Sequence, residues 1–349
     1  MKRIKQGLVL LLTGLLLISA CLNGLVAEVQ AETISNQVTV SRTTVDQVIA
    51  DLEQWERNCL QDAFRTAADQ EIVDPTIHNW PTIGFGRLEH YEGLEAYLAE
   101  SEKYIVQKWD SAVRKVTNLE RITLAVGAAS GNPCNFGGKD LIAEIYNYPD
   151  IEAQGINGPV FALIALDSGN YDIPTTAKWT REGLLKIILS KQLSDGGFSL
   201  GGTGSSDTDI TAMTLQALAP YYKANQADVQ MAVEKALVCL SGLQDAEGGY
   251  QSWGTTNSES VCQTMIAVCS LGIDPDVDPR FIKNGHTLLS NLLQFRADDG
   301  GFKHVLDGGS NSIASEQALM ALAAYERFQD KKSGLYDYNP EKVLTDPTI

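Results

Sequence analysis

The chain has 349 residues, and its 44 acidic residues outnumber its 27 basic ones to give a net charge of −17. This acidity argues against DNA or RNA as the main partner, because nucleic-acid-binding proteins usually carry a basic surface. Hydrophobic residues make up 44% of the sequence, and Gly and Pro number only 30 and 11, which excludes collagen-like and disordered chains. The length suits one large domain or two ordinary ones.

The first 31 residues have the pattern of a signal peptide. A basic start at residues 1–5 precedes an apolar run at residues 7–20, which at roughly 14 residues is shorter than the ~20 that a membrane span needs. Two processing patterns fit the segment. A lipobox ends at Cys21, which would make the protein a lipoprotein with a lipid anchor, and a small-residue cleavage site ends at Ala31. Both predict a protein that is secreted or held at the cell surface.

A 52-residue repeat organises the second half of the chain. An acidic residue, a Gly pair and an aromatic residue recur three times, with pairs beginning at Gly196, Gly248 and Gly300. An amphipathic segment precedes each turn, and a more apolar segment follows it. A helix that is apolar on most sides is buried on most sides, whereas an amphipathic helix exposes its polar face. Each repeat is therefore predicted to be an outer helix, a Gly-Gly turn and an inner helix.

The same alternation extends upstream, and strand signals are almost absent. The predicted inner helices are Trp80–Leu88, Leu119–Ala129, 155–166, Asp207–Tyr221, Glu259–Leu271 and Ser312–Phe328. The predicted outer helices are Val45–Ala68, Gly93–Lys108, Gly138–Tyr146, Gly183–Lys191, Gln226–Leu243 and Pro279–Leu293. Six of each predict an all-α fold, an (α/α)6 toroid over residues 44–330, because a closed ring needs no capping repeat. Residues 331–349 are predicted to be a C-terminal tail.

Five cysteines follow the signal segment, and no two of them form a Cys-x-x-Cys pair. We interpret them as small apolar residues of the core. A disulfide between neighbouring helices stays open as an alternative for an exported protein.

The Gly-Gly turns and the helix start at 206–213 resemble the squalene cyclase/prenyltransferase superfamily, whose members include terpenoid cyclases. Segments 79–84, 155–168 and 207–222 are more closely similar to exported bacterial proteins with prenyltransferase-like repeats, related to the transcobalamin carrier fold. The resemblance implies the same (α/α)6 toroid. It says little about chemistry, because one fold hosts many functions.

The sequence departs from the enzymes that it resembles. Terpenoid cyclases of this fold use an Asp-x-Asp-Asp acid, but here Asp207 and Asp209 are followed by Ile210. Protein prenyltransferases bind zinc through Asp, Cys and His, whereas the four His of this chain have no metal-ligand spacing. We therefore predict no metal and no cofactor. These departures favour a non-catalytic protein and leave the question of an enzyme open.

Functional residues are predicted at the N-terminal ends of the inner helices, which meet at one mouth of the ring. The candidate ligand-binding residues are Trp80, Asp207, Asp209, Tyr250, Trp253, Glu259 and His304. The 52-residue spacing makes Asp207 and Glu259 equivalent. It aligns Asp209 with Val261, which makes Asp209 particular to one repeat.

Most of these residues also have a structural interpretation. An acid at a helix start caps the backbone and suits the helix dipole, and we favour this role for Asp207 and Asp209. Tyr250 and the other turn aromatics are expected to fix each turn to the next repeat. Trp253 is a better ligand candidate, because it lies in a polar loop with little core character.

Three functions fit this pattern. The first is a binding module that captures a small molecule, corrinoid-like by resemblance, or a cell-surface partner at the mouth. The second is an enzyme, either a divergent terpenoid cyclase or a polysaccharide hydrolase or lyase, with Asp207, Asp209 and Glu259 as acids. The third is a structural module of the cell surface, whose ring centre would be filled by Met213, Met265 and large aliphatic side chains.

Overall fold

The computed structural model describes residues 38–66 and 75–339. The predicted signal segment, with Cys21 and Ala31, lies outside these residues. The described part contains thirteen α-helices and one hairpin, in which β1 (Gln251–Ser252) pairs antiparallel with β2 (Thr255–Thr256). The predicted all-α class is therefore confirmed.

Six helices form an inner ring: α2 (Asn79–Arg87), α5 (Val116–Ala128), α7 (Asn157–Ser168), α9 (Thr208–Lys223), α11 (Ser258–Leu271) and α13 (Ser312–Gln329). Each packs against the next, and α13 packs against α2, so the ring is closed. The outer helices are α1 (Arg42–Thr66), α3 (Leu94–Gln107), α6 (Leu141–Tyr146), α8 (Arg181–Ser190), α10 (Ala227–Leu243) and α12 (Leu288–Leu292). Each packs on at least one inner helix, and α4 (Trp109–Ala112) is a short connector. This architecture is the predicted toroid.

Small residues let the inner helices approach closely. A Cβ atom on Gly86 of α2 would lie 2.2 Å from the carbonyl oxygen of Ala128, at the end of α5. A Cβ atom on Gly84 would lie 2.6 Å from the side chain of Leu319 in α13. Both contacts are shorter than packed atoms allow, so the helices on either side of α2 require glycine at these positions.

The Gly-Gly turns form as predicted. The first glycine of each pair has a left-handed backbone, with φ of 91° at Gly196, 78° at Gly248 and 95° at Gly300. The aromatic residue that follows each pair is fully buried, as the anchoring role requires. This burial removes Tyr250 from the candidate ligand-binding residues, because its side chain is 0% exposed and lies in the core rather than at the mouth.

The outer helix predicted at Pro279–Leu293 is wrong for most of its length. Asn284 and Gly285 both have a left-handed backbone, with φ of 50° and 84°, and they form a turn that a helix cannot include. A 3-10 turn at Pro279–Phe281 and the short helix α12 remain. An Asn-Gly pair is a turn signal, so the break could have been found in the sequence.

The described part of the predicted tail is packed against the ring. Arg87, at the end of α2, donates hydrogen bonds to the carbonyl oxygens of Gly334 at 3.0 Å and of Asp337 at 2.9 Å. Leu335 is 1% exposed, and the backbone N–H of Tyr338 donates to the carbonyl oxygen of Ser168, at the end of α7. Residues 331–339 therefore pack against the C-terminal ends of α2 and α7, opposite the mouth.

Cys134, Cys239, Cys262 and Cys269 are free thiols. Cys262 and Cys269 are buried as expected, whereas Cys134 is exposed. Within residues 38–66 and 75–339, none of the helices has the length and hydropathy that a bilayer span requires.

Candidate functional site

Three inner helices begin with the same cap. The side chains of Asp207, Asn257 and Asn311 each accept a hydrogen bond from the backbone N–H three residues later, at 2.9–3.0 Å. The backbone N–H of each cap residue also donates to the carbonyl oxygen of the buried aromatic residue of its own repeat. These shared contacts make the three caps structurally equivalent, at the starts of α9, α11 and α13.

This equivalence corrects the alignment that spacing alone gave. The loop from Tyr250 to Asn257 is two residues shorter than its counterparts at 198–207 and 302–311. Asn257 is therefore the counterpart of Asp207, and Glu259 is the counterpart of Asp209. The prediction that Asp209 is particular to one repeat is wrong, because α9 and α11 both carry a carboxylate at their second residue.

Asp207 has a structural role. Its Oδ1 atom accepts a hydrogen bond from the N–H of Ile210 at 3.0 Å, and its Oδ2 atom accepts one from Ser252 Oγ at 2.8 Å. Both of its oxygens therefore hold local structure, one the start of α9 and the other the strand β1, and Asp207 is not among the residues that line the cleft. The capping interpretation is confirmed for this residue.

A cleft of about 500 Å³ opens at the N-terminal ends of α9, α11 and α13. Four of the seven candidate residues line it: Asp209, Trp253, Glu259 and His304. The other lining residues are Ser252, Thr255, Asn257, Asn311, Ile313 and Gln317. Of these described lining residues, none is Lys or Arg, so the cleft is polar and acidic.

Glu259 and His304 form a pair in this cleft. The Nδ1 atom of His304 lies 2.9 Å from both carboxylate oxygens of Glu259. Glu259 is only 9% exposed, and the hydroxyl of Ser258 also donates to it at 3.2 Å. The side chain of His304 is about half exposed. The pair therefore places a fixed carboxylate below a histidine that solvent can reach.

The carboxylate of Asp209 has fewer well-formed hydrogen bonds than the carboxylate of Glu259. Burial raises the pKa of Asp209 to about 6, the charges of Asp207 and Glu259 add to the shift, and nearby serine hydroxyls oppose it. The Oδ1 atom of Asp209 is buried without a well-formed hydrogen bond to any described residue. A raised carboxylate pKa in a cleft is typical of functional sites, although structural groups show it too.

Trp253 stands at the edge of the cleft in the tight turn between β1 and β2. Its side chain is 91% exposed, and φ is 52° at Trp253 and 81° at Gly254. Positive φ at both central positions is the type I′ form of a two-residue hairpin turn, and it is unfavourable for a bulky residue. Neither packing nor backbone preference favours tryptophan here, so its presence points to contact with a ligand or partner.

A second cavity of about 580 Å³ occupies the ring centre, and every inner helix contributes to it. Its lining includes Trp80, Arg121, Phe161, Met213, Gln263 and Met320. We call it the central hollow. A purely structural module would require a filled ring centre, whereas this centre is open. Met265 lies in the buried core rather than in the hollow.

The central hollow has an aromatic wall and adjoins the cleft. The ring centres of Trp80 and Phe161 are 6.0 Å apart, and the Arg121 guanidinium carbon lies 5.8 Å from the centre of the Trp80 ring. Gln317 lines both cavities, and it accepts a hydrogen bond from Gln263 at 3.0 Å. Trp80, one of the predicted residues, thus lies in a different cavity from the other four.

Sequence reasoning missed the glutamines and the upstream lining residues. Met213, Gln263 and Gln317 each lie six residues after the cap of their helix, one turn beyond the position of Asp209 and Glu259. Aligning the caps Asn257 and Asn311 would have shown that Gln263 and Gln317 occupy the same position of two apolar helices, which is unusual for a glutamine. No repeat signal identified Arg121 and Phe161, because their helices lack a Gly-Gly turn.

Within the described residues, no group of three or more His, Cys, Asp or Glu side chains is arranged to hold a metal ion. No protein-family model and no curated protein matches the chain. A solved structure, the Candida albicans protein geranylgeranyltransferase-I complexed with GGPP, is similar with a TM-score of 0.56 and 13% identity, over 86% of this chain and 95% of that one. At this identity the likeness shows a prenyltransferase-like toroid fold and nothing finer.

Proposed function

We propose that this chain is an exported, non-catalytic binding protein that captures a small molecule at the mouth of its ring. One observation carries the proposal: side chains from all six inner helices line an open central hollow, and the acidic cleft adjoins it. Both volumes fall within the roughly 300–1,000 Å³ that is typical of small-ligand sites. Export rests on the signal-peptide pattern of residues 1–31.

The two cavities offer different chemistry. Trp80, Phe161 and Met213 give the central hollow an apolar and polarisable wall, whereas Asp209 and Glu259 make the cleft polar. A ligand with an apolar body and a polar end would use both. A corrinoid, which is a candidate by resemblance alone, is larger than the usual occupant of such cavities and would lie across the mouth rather than inside it.

Calorimetric titration of the full chain with a small-molecule panel that includes corrinoids tests this proposal. We expect at least one member to bind at micromolar concentrations. Met213→Trp should weaken that binding at least tenfold, because it fills the hollow. Val238→Trp is the matched control, since Val238 is 69% exposed on the outer helix α10. Absence of binding across the panel, or an unchanged affinity in Met213→Trp, would contradict the proposal.

A polysaccharide hydrolase or lyase is the second candidate, and the raised pKa of Asp209 beside the Glu259–His304 pair favours it. A terpenoid cyclase is less well supported, because Asp207 is a cap and the predicted export separates the protein from isoprenoid pools. Release of reducing ends from a glycan panel at pH 5–6 tests the second candidate. If Asp209→Asn left this activity intact, Asp209 would not be the catalytic acid that the second candidate requires.

A further inference from the structure

We propose that the cleft selects a small organic cation, whose ammonium group is held by Asp209 and Glu259 and whose carbon chain lies against Trp253. This assignment of a ligand class rests on the proposed function, because it presumes that the mouth binds a small molecule. It goes further by fixing the charge that the ligand must carry.

The charges around the cleft favour a cation. His304 is the only basic side chain among the described residues that line it, and His304 is already paired with Glu259 at 2.9 Å. Asp207 adds a third carboxylate behind Asp209. The whole chain carries −17, so its long-range field also attracts cations and repels anions.

Among the described residues, the groups that stabilise the charge of Asp209 are neutral hydroxyls, those of Ser252 and Ser260. No described basic side chain lies within ion-pair distance of it, and its buried Oδ1 atom has no well-formed hydrogen bond. A buried carboxylate is stabilised by a positive hydrogen-bond donor more than by a neutral one. An ammonium group would supply both the charge and the donor, whereas a sugar hydroxyl supplies only the donor.

Trp253 completes the recognition. A tryptophan face is the best aromatic partner for an ammonium group, and the contact strengthens when water is excluded. The cleft volume of about 500 Å³ is far larger than a bare ion needs, so the cation is expected to carry a carbon chain. A free diamine and a lysine side chain in a peptide share this chemistry.

The test is calorimetry on the full chain with four probes at low ionic strength. Cadaverine represents the free diamine, and an acetylated and amidated Gly-Lys-Gly peptide represents the peptide source. The neutral probes are 1,5-pentanediol and glucose. We expect cadaverine or the peptide to bind, affinity to fall as salt is raised, and the neutral probes to bind at least tenfold more weakly. The relative affinities of the two amine probes identify the source.

Two variants locate the binding site. Asp209→Asn and Trp253→Ala should each weaken amine binding at least tenfold, and both changes are mild for the fold because Asn is isosteric and Trp253 is exposed. Asp307→Asn is the charge-matched control, since Asp307 is exposed in a nearby loop. Circular dichroism verifies that each variant is folded.

Two results would overturn the inference. Binding of glucose or pentanediol as tightly as cadaverine would leave the proposed function standing and remove the cation. An amine affinity that is equal in Asp209→Asn and Asp307→Asn would do the same. If neither amine probe binds at millimolar concentration, the cation assignment fails, and the panel titration decides the proposed function separately.

Discussion

Alanine substitution at three glycines with a left-handed backbone should lower the free energy of unfolding by different amounts. Gly196 and Gly248 belong to Gly-Gly turns, and Gly272 is the reference without a close neighbour. Alanine at Gly272, which ends α11 with φ of 81° and has no neighbour within 4 Å of a new Cβ atom, meets only the left-handed penalty. That penalty is roughly 1–2 kcal/mol, and a stiffer unfolded chain offsets about 0.4–1 of it. We therefore expect Gly272→Ala to cost about 1 kcal/mol in the free energy of unfolding.

Alanine at Gly196 should cost more, because its Cβ atom would lie 2.7 Å from the carbonyl oxygen of Lys235 in α10. A backbone carbonyl cannot rotate away as a side chain can. The steric clash therefore adds about 1–3 kcal/mol to the cost of the left-handed backbone. The expected loss is about 2–4 kcal/mol. Gly248→Ala should fall between the two, since its nearest contact is 3.1 Å from His286.

Urea denaturation at pH 7, followed by circular dichroism, measures all three variants against the unsubstituted chain. The loss of stability is expected to rise from Gly272→Ala through Gly248→Ala to Gly196→Ala. If Gly196→Ala loses no more stability than Gly272→Ala, the Gly196 turn is not pressed against α10.

Three further changes have defined outcomes. Asp207→Ala removes the cap of α9 and should cost about 1–2 kcal/mol in urea denaturation; an unchanged midpoint would refute the cap. Burial raises the pKa of Glu56 from 4.5 to about 8, and the charge of Glu316 adds to the shift. The fold therefore favours neutral Glu56, and stability should fall as pH rises from 4.5 to 8. Glu56→Gln should flatten this decline in thermal melts, and an equal slope would contradict it. Arg87→Ala removes the hydrogen bonds to segment 331–339, so trypsin should cut there faster than in the parent chain, and an equal rate would show that Arg87 does not hold the segment.

The ring could be predicted from the sequence because its pattern reports burial directly. Inner helices are apolar on most sides and outer helices on one, so the chain displays its layers without any knowledge of contacts. The helix at Pro279–Leu293 failed because the apolar pattern of Leu288–Leu292 was extended across the Asn284-Gly285 turn. At this point the backbone preference of Asn284 and Gly285 for a turn determines the structure, and the hydrophobic pattern does not.

The site could be predicted only in part. Asp209, Trp253, Glu259 and His304 do meet, because helix N-termini and their loops must share one face of a ring. The register at α11 was missed because a loop two residues shorter shifts the cap without changing the Gly-Gly period. Tyr250 was misplaced because a turn aromatic can point inward or outward, and only packing decides which.

Segment 331–339, which Arg87 holds by hydrogen bonds, lies at the opposite end of the ring from the candidate site. A pocket of about 420 Å³ remains there between this segment and the C-terminal ends of α9, α11 and α13. A change in how the segment packs would therefore alter the far end while leaving Asp209, Trp253, Glu259 and His304 in place, so the two ends of the ring can vary independently.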